Sequence, residues 1–366
     1  MRVLMLSKAC IVGIYQRKLE EIARRNVDLL TLVPPSWRDE RGEMVLERAY
    51  TSGYRLEVLP LHLNGNFHLH YYGGLGEQIR RFCPQIVHID EEPYNAATWQ
   101  ALYHARRMGA KTLFFSWQNI HRRYPFPFNV GERWVLDHVD GAIAGTESAA
   151  QVWRDKGFIR PMTVIPQFGT DPDLFRPTAN RPERPFTIGY VGRLVEEKGI
   201  SVLLEAAAHL KFADWRLNIL GSGPLLADLQ AQTARLGISE KTIFQPQIPS
   251  TQIPAHYPML DVLALPSLTR PNWKEQFGRT LVEAMASGVP VIGSDSGAIP
   301  DVIGDVGTIV PEGDAAALAA AITRLYDDQD LADGFRLAGR QRVIDHFTHA
   351  QVAAATVDVY RALLAP

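Results

Sequence analysis

Cysteine is scarce in this sequence, and long apolar runs are missing. Cys10 and Cys83 are the two cysteines among 366 residues, which excludes a disulfide framework, and their spacing suits no metal site. No apolar run approaches the roughly 20 residues that cross a bilayer. The apolar start at residues 1–7 is shorter than a signal peptide and predicts a buried first strand instead. We therefore expect a protein of the cytoplasm.

A strong charge of either sign is also missing, since the formal net charge is −2 and the pI is about 6.6. Residues 1–170 carry 21 Lys and Arg against 17 Asp and Glu, whereas the remainder carries 17 against 23. Basic doublets such as Arg80-Arg81 and Arg122-Arg123 in the first half suit an anionic membrane surface, a phosphorylated acceptor or solvated helix faces. Peripheral contact of this half with the inner face of a membrane is thus open. No nucleic-acid partner is predicted.

Short apolar runs alternate with helical patterns along the chain. In the first half we predict strands at 3–6, 27–32, 56–59, 86–89, 112–115, 142–144 and 163–165. Near-continuous apolar strands between helices are typical of parallel sheets that are covered on both faces. Ligands of such sheets bind beyond the carboxyl ends of the strands. A proline-rich connector after residue 166 separates this series from a second one and predicts two α/β domains.

One stretch of the second series, from Glu275 to Glu283, carries the main chemical signal. A loop ends at Gly278, and a helix follows that presents Leu281 and Met285 at turn spacing. The two carboxylates and the N–H groups of the first helical turn can therefore face one polyhydroxylated ligand. The alternative is a capped helix with two solvated glutamates.

Two glycine turns precede this stretch. The first runs from Gly192 through Arg193 to Lys198, and the second contains Gly221 and Gly223. Two cations beside a helix N-terminus suit a diphosphate, because Arg grips two oxygens and Lys acts as a point charge. Solvated cations are the alternative interpretation.

In this order and spacing, the motifs resemble the C-terminal half of family 4 glycosyltransferases, over roughly residues 164–314. That family comprises retaining enzymes that use nucleotide-sugars. The resemblance implies two Rossmann-like, doubly wound parallel-sheet domains that face a central cleft, the GT-B fold. The expected domains are residues 1–170 and 171–349, with a C-terminal helix at about 350–366 that crosses back to the first.

The resemblance also implies roles for individual residues, of which Arg193, Lys198 and Glu275 are catalytic. The donor-binding residues that it implies are Gly13, Gln118, Asn119, Gly192, Gly221, Gly223, Gln247, Gln276, Phe277, Gly278, Arg279, Thr280 and Glu283. This sequence departs from the family at two positions. Gln118 stands near the usual position of a histidine, and Gln276 stands where glycine is more frequent. Gln118 or Asn119 is expected to supply the contact with the donor sugar. The family acts without a metal or other cofactor, and the nucleotide-sugar is a co-substrate.

Acceptor candidates lie in three loops of the first half. Tyr71 and Tyr72 belong to a polar, aromatic segment at residues 64–74 that suits sugar recognition, with an ordinary surface loop as the alternative. Glu91 and Glu92 belong to a run of three acids, an arrangement that is costly unless the groups face solvent, cations or hydroxyls. His121 is the histidine displaced from the family position.

The expected function is transfer of a hexose-type sugar from a nucleoside-diphosphate-sugar to an acceptor hydroxyl, in synthesis of a glycan, glycolipid or surface polysaccharide. The acceptor can be a glycan, a lipid-linked molecule or a small molecule, and uracil, guanine and adenine donors are all open. A nucleotide-sugar epimerase, a phosphorylase or a non-catalytic nucleotide-sugar-binding protein of the same shape are the alternatives. An NAD-dependent oxidoreductase is disfavoured because the glycine turns lack Gly-x-Gly-x-x-Gly with its downstream acid.

Overall fold

A computed structural model describes residues 1–39, 42–178, 183–249 and 252–365 of the chain. The strands of this described part are β1 Arg2–Leu6, β2 Asp28–Val33, β3 Ser36–Asp39, β4 Gly42–Val45, β5 Arg55–Val58, β6 Leu61–His62, β7 Tyr71–Tyr72, β8 Ile86–Ile89, β9 Lys111–Ser116, β10 Gly141–Ala144, β11 Met162–Val164, β12 Phe186–Val191, β13 Trp215–Leu220, β14 Thr242–Gln245, β15 Val262–Leu265, β16 Val291–Ser294 and β17 Thr308–Val310.

The α-helices of the same residues are α1 Arg17–Ala23, α2 Leu75–Phe82, α3 Ala96–Arg107, α4 Phe128–His138, α5 Glu147–Asp155, α6 Ile200–Ala208, α7 Leu226–Arg235, α8 Ile253–His256, α9 Arg279–Ala286, α10 Ile299–Ile303, α11 Ala315–Asp327, α12 Gln329–His346 and α13 His349–Leu364. None of these helices is both long enough and apolar enough to cross a membrane.

The chain divides into two compact units. Unit 1 comprises Met1–Gly169 and His349–Pro366, and unit 2 comprises Thr170–Thr348. These limits fall one residue before those expected from the sequence, 170/171 and 349/350.

Unit 1 is built on a seven-stranded sheet of order β11-β10-β9-β8-β1-β2-β5, in which every pair is parallel. Strand β1 shows why both faces are covered. Its successive side chains point to opposite faces, so that Val3 and Met5 enter one core and Leu4 and Leu6 the other. Tyr360 of α13 packs in the same core as Val3.

Unit 2 has a six-stranded sheet of order β14-β13-β12-β15-β16-β17, again with parallel pairs only. Strands β15 and β16 are buried along their whole length. In each unit the strand order reverses once, between β1 and β8 and between β12 and β15. This reversal, the switch point, opens a crevice at the carboxyl ends of the strands. The predicted fold class, two Rossmann-like parallel-sheet domains, is confirmed.

Gly199 joins the turn after β12 to α6 in a left-handed conformation, with φ of +66°. A Cβ built on it would lie 1.8 Å from the carbonyl oxygen of Pro266, so the two backbones touch at the switch point. Only glycine permits both features.

We expect Gly199→Ala to destabilise unit 2 by about 1–3 kcal/mol, because backbone atoms must separate to admit a methyl group. Gly334→Ala is the matched control. Gly334 is exposed within α12, and a Cβ there meets nothing within 4 Å, so alanine should stabilise by about 0.5–1 kcal/mol. Thermal unfolding of both variants measures the difference, and equal melting temperatures would contradict this account.

Candidate functional site

A buried ion pair lies at the switch point of unit 2. Lys198 Nζ and Glu275 Oε2 are 2.6 Å apart, although the two residues are 77 positions apart in sequence. Ser267, just after β15, donates its hydroxyl to the same carboxylate oxygen at 2.7 Å. The side chains of Lys198 and Glu275 are only 15% and 8% exposed. The structure thus brings together two of the three predicted catalytic residues.

The turn at residues 270–273 holds this lysine from another side. The Trp273 ring centroid lies 5.0 Å from Lys198 Nζ, a cation–π distance. Backbone hydrogen bonds in both directions between Arg270 and Trp273 close the turn. Arg270 also pairs at 2.6 Å with Glu196, in the single 3₁₀ turn that carries Lys198. The ammonium group is therefore restrained by the carboxylate of Glu275 and by an aromatic face.

Arg193 lies two residues after the end of β12 and is exposed. Its Nη2 lies 3.4 Å from Glu197 Oε1, and its carbonyl oxygen accepts a hydrogen bond of 2.7 Å from the Tyr190 hydroxyl. The backbone is thus fixed while the guanidinium stays accessible to an incoming anion.

Glu283 lies in α9 and is held on both carboxylate oxygens. The Tyr257 hydroxyl donates to one oxygen and Arg279 Nε to the other, both at 2.8 Å. Burial, followed by the charge of Glu283, raises the pKa of Tyr257 well above its usual value, so tyrosine remains a donor at every physiological pH. Glu283 has a fixed direction before any ligand arrives.

The loop before α9 contributes groups of different kinds. Gln276 is exposed, whereas the Phe277 ring packs 5.7 Å from that of Phe347. Gly278 is the N-cap of α9 with φ of +79°, and Thr280, in the first turn, is half-buried.

The predicted glycine turns of unit 2 pack backbone against backbone. A Cβ on Gly221 would lie 1.8 Å from the Gly192 carbonyl oxygen, and one on Gly223 would lie 2.3 Å from that of Leu194. Ser222, between the two glycines, donates to the side chain of Gln247 at 3.4 Å. The predicted diphosphate and base segments are therefore neighbours.

The switch point of unit 1 also holds a lysine–glutamate pair. Lys8 follows β1 and pairs with Glu91, which follows β8 and has a fully buried side chain. Burial alone would raise the pKa of Glu91, but the charge of Lys8 and a contact with His70 lower it to about 2. The neighbouring Asp90 accepts from the Ser7 hydroxyl at 2.5 Å and from Gln167 Nε2 at 3.0 Å. These acids therefore face a cation and hydrogen-bond donors, as expected for neighbouring buried carboxylates.

The structure separates the two tyrosines that the sequence analysis grouped as acceptor candidates. Tyr72 is fully buried, with its hydroxyl 3.5 Å from Glu91 Oε1. Tyr71 is 41% exposed and stacks on His62 at 4.7 Å. Successive residues of β7 point to opposite faces, so they cannot line one surface together.

The loop after β9 carries Gln118 and Asn119, both 7% exposed. Gln118 Nε2 donates to the Ile120 carbonyl at 3.0 Å, but no donor among the described residues reaches Gln118 Oε1, which is buried. A buried amide oxygen without a donor is costly, and either a bound water or a ligand hydroxyl would satisfy it. His121, by contrast, is exposed.

The Gly13 backbone N–H already has a partner in this structure. It donates to Glu47 Oε2 at 2.7 Å, and a Cβ on Gly13 would lie 2.9 Å from Ala49 Cβ. Glycine is required here by the packing of residues 47–49, and its predicted contact with a donor stays a prediction.

Sequence reasoning missed Ser267, Trp273, Tyr257 and Lys8 as parts of these sites. Ser267 and Lys8 each follow a buried strand, and that position was the available signal. Tyr257 and Trp273 carry no comparable signal.

Comparison with known proteins gives two family matches. The model described as "Glycosyl transferases group 1" matches residues 172–342, and the "Glycosyl transferase 4-like domain" model matches residues 14–167.

Two curated relatives illustrate the similarity. The GDP-mannose-dependent alpha-(1-6)-phosphatidylinositol monomannoside mannosyltransferase of Mycolicibacterium smegmatis is 35% identical over 190 residues, covering 50% of each chain. The 2-deoxystreptamine glucosyltransferase of Streptomyces kanamyceticus is 31% identical over 251 residues, covering 64% of this chain and 63% of the relative. The matched part therefore spans between half and just under two thirds of these relatives' lengths.

Solved structures share the whole fold. Sucrose-phosphate synthase from Thermosynechococcus elongatus has a TM-score of 0.72 at 21% identity and 99% coverage of both chains. HepE of Anabaena, in complex with UDP and glucose, has a TM-score of 0.71 at 17% identity, covering 99% of this chain and 100% of that one. With two Rossmann-like units and family matches along both, the chain belongs to the group 1 glycosyl transferases, family 4, of GT-B type.

Proposed function

We propose that the protein is a retaining glycosyltransferase, which moves a hexose from a nucleoside-diphosphate-sugar to an acceptor hydroxyl. The observation that carries the proposal is the cluster of Lys198, Glu275 and Ser267 at the switch point of unit 2. It combines a restrained cation for a phosphate with a fixed carboxylate for sugar hydroxyls. The names of the curated relatives, a mannosyltransferase and a glucosyltransferase, support hexose transfer.

The leaving diphosphate is stabilised by Lys198 and Arg193 in this proposal. Negative charge develops on the phosphate oxygens as the bond from the sugar C1 to the diphosphate breaks. A cation that is already in place stabilises this charge without reorganisation, which is where electrostatic catalysis contributes most. The Trp273 ring and Glu275 supply that preorganisation for Lys198.

The other residues orient the donor. Glu275 accepts from hydroxyls of the transferred sugar, while Glu283, fixed by Tyr257 and Arg279, accepts from the ribose. Gln118 Oε1 accepts from a further sugar hydroxyl, which would satisfy its unpaired buried oxygen. Backbone groups around Gly192, Gly221 and Gly278 approach the phosphates.

The acceptor hydroxyl attacks C1 from the face that the diphosphate leaves. Its oxygen bonds to C1, its proton passes to an oxygen of the departing phosphate, and the product keeps the donor's anomeric configuration. No protein nucleophile, metal or other cofactor takes part. Acceptor contacts are assigned to the exposed candidates of unit 1, Tyr71 and His121. Peripheral contact with a membrane remains part of the proposal only for a lipid-linked acceptor.

A panel of UDP-, GDP- and ADP-sugars, with and without candidate acceptors, tests the proposal. Binding of the right donor raises the melting temperature by mass action. A transferase then releases nucleotide and forms a product whose anomeric configuration, read by NMR, equals that of the donor. Turnover without an acceptor would indicate an epimerase, and turnover that needs inorganic phosphate would indicate a phosphorylase. Binding of the donor without release of nucleotide would indicate a non-catalytic protein.

We expect Lys198→Ala to lower turnover about 100- to 1,000-fold, because the preorganised charge at the leaving group is lost. Lys211→Ala, at an exposed lysine of the same unit, is the control and should leave turnover unchanged.

The lysine variant will also lose stability, since it leaves the Glu275 carboxylate buried without its cation. A double variant, Lys198→Ala with Glu275→Gln, removes both charges and should regain melting temperature while turnover stays low. Recovery of turnover in the double variant would show that the lysine acts only in folding.

We expect Gln118→Leu to raise the donor KM at least about tenfold, because the buried acceptor for a sugar hydroxyl is gone. Folding stability should change by less than about 1 kcal/mol, since a hydrogen bond and an unsatisfied oxygen disappear together. The nucleoside diphosphate without sugar provides the internal control, and calorimetry should find its affinity unchanged. Equal weakening of both ligands would contradict a contact with the sugar.

A further inference from the structure

Glu92 is the third acid after β8, and its partners differ from those of Asp90 and Glu91. Ser116 Oγ donates to Glu92 Oε2 at 2.6 Å, and the Trp117 backbone N–H donates to Oε1 at 2.8 Å. Both donors belong to the end of β9 and the loop that follows it. The carboxylate therefore joins the segments that follow two neighbouring strands.

The contact continues toward Gln118. Its backbone N–H donates to Ser116 Oγ at 3.0 Å, so a relay runs from Gln118 through the serine hydroxyl to Glu92. Trp117 is fixed at its other end by Nε1, which donates to Gln167 at 2.8 Å. The loop that presents the unpaired Gln118 Oε1 is thus held by one carboxylate at two successive residues.

We propose that Glu92 is a positioning residue, whose ionised carboxylate holds residues 116–118 so that Gln118 faces the donor sugar. This inference rests on the proposed function for the identity of the ligand. It differs from the acceptor role that the sequence suggested for Glu92, because both carboxylate oxygens are already engaged with the loop after β9.

The charge state of Glu92 makes this arrangement sensitive to pH. Burial raises the pKa of Glu92 to about 7, even though the two hydrogen bonds and Lys8 oppose the shift, and the charge of Glu91 adds to it. Tyr94 and Tyr124 face it as well, and both stay neutral because burial raises their pKa values. Lys8 is already paired with Glu91, and within the described part of the chain Glu92 forms no ion pair of its own.

Protonation weakens the relay, because a neutral carboxyl accepts hydrogen bonds less strongly than a carboxylate. Order of residues 116–118 should therefore rise with pH through about 7. The contribution of Glu92 to the free energy of global unfolding changes with pH in the opposite direction. A carboxyl with a raised pKa stabilises the folded state below its ordinary value near 4.5, and this stabilisation is lost as the pH rises through about 7.

Hydrogen–deuterium exchange of the full chain without ligand, at about pH 6 and about pH 8, tests the relay directly. Protection factors, which correct for the intrinsic effect of pH on exchange, should rise about tenfold for residues 116–118 in the wild type. Glu92→Gln should abolish this rise. Ser116→Ala should abolish it too, and the double variant should add nothing further, since both changes break one relay. Glu77→Gln, at an exposed acid of α2, should behave as wild type.

Kinetics with the donor identified by the panel supplies the second measurement. Glu92→Gln should raise the donor KM at least about tenfold and flatten its pH dependence between about pH 6 and 8, with the acceptor KM unchanged. A change confined to the acceptor KM, or to kcat, would overturn the positioning role. Protection factors of residues 116–118 that neither substitution alters would overturn it as well. If wild type processes no donor, the proposed function fails, while the exchange experiment still decides whether Glu92 orders the loop.

Discussion

The pairing of Lys198 with Glu275 is the constraint on which the rest of unit 2 depends. Two charges are removed from water there, a cost that their attraction offsets only if geometry and further hydrogen bonds are good. Ser267 and Trp273 supply those partners. The backbone supports them, since a Cβ on Gly297 would lie 2.1 Å from the Glu275 carbonyl oxygen. Polar groups that are restrained at a cost to stability are typical of sites built for a ligand.

The fold was predictable because both faces of each sheet are buried, so that the strands are nearly continuous apolar runs in the sequence. Val3 to Leu6 illustrates this, since alternate residues fill two different cores. Short-range signals also sufficed for α9, which begins after Gly278 in a left-handed conformation. Such features depend on neighbours in sequence, and sequence patterns record them.

The partners within each site were not predictable for a complementary reason. Tyr257 contacts Glu283 across 26 positions, and Lys8 contacts Glu91 across 83. Residues so far apart in sequence meet only because of the strand order and the path of the loops. Neither of these leaves a local pattern in the sequence. The predicted role of Gln118 came from a family resemblance, and its unpaired oxygen could be found only in three dimensions.

The run Asp90-Glu91-Glu92 shows how a costly sequence is accommodated. Two ammonium groups, those of Lys8 and the buried Lys18, act on these three carboxylates, and the structure divides the carboxylates among different partners. Asp90 meets the Ser7 hydroxyl and Gln167, Glu91 meets Lys8, and Glu92 meets donors of the neighbouring loop. Burial raises the pKa of Asp90 as well as that of Glu92. The charge of Lys18 and two hydrogen bonds oppose the shift of Asp90, whereas the pKa of Glu92 rises to about 7. A third carboxylate without an ion-pair partner among the described residues thus makes the loop bearing Gln118 respond to pH.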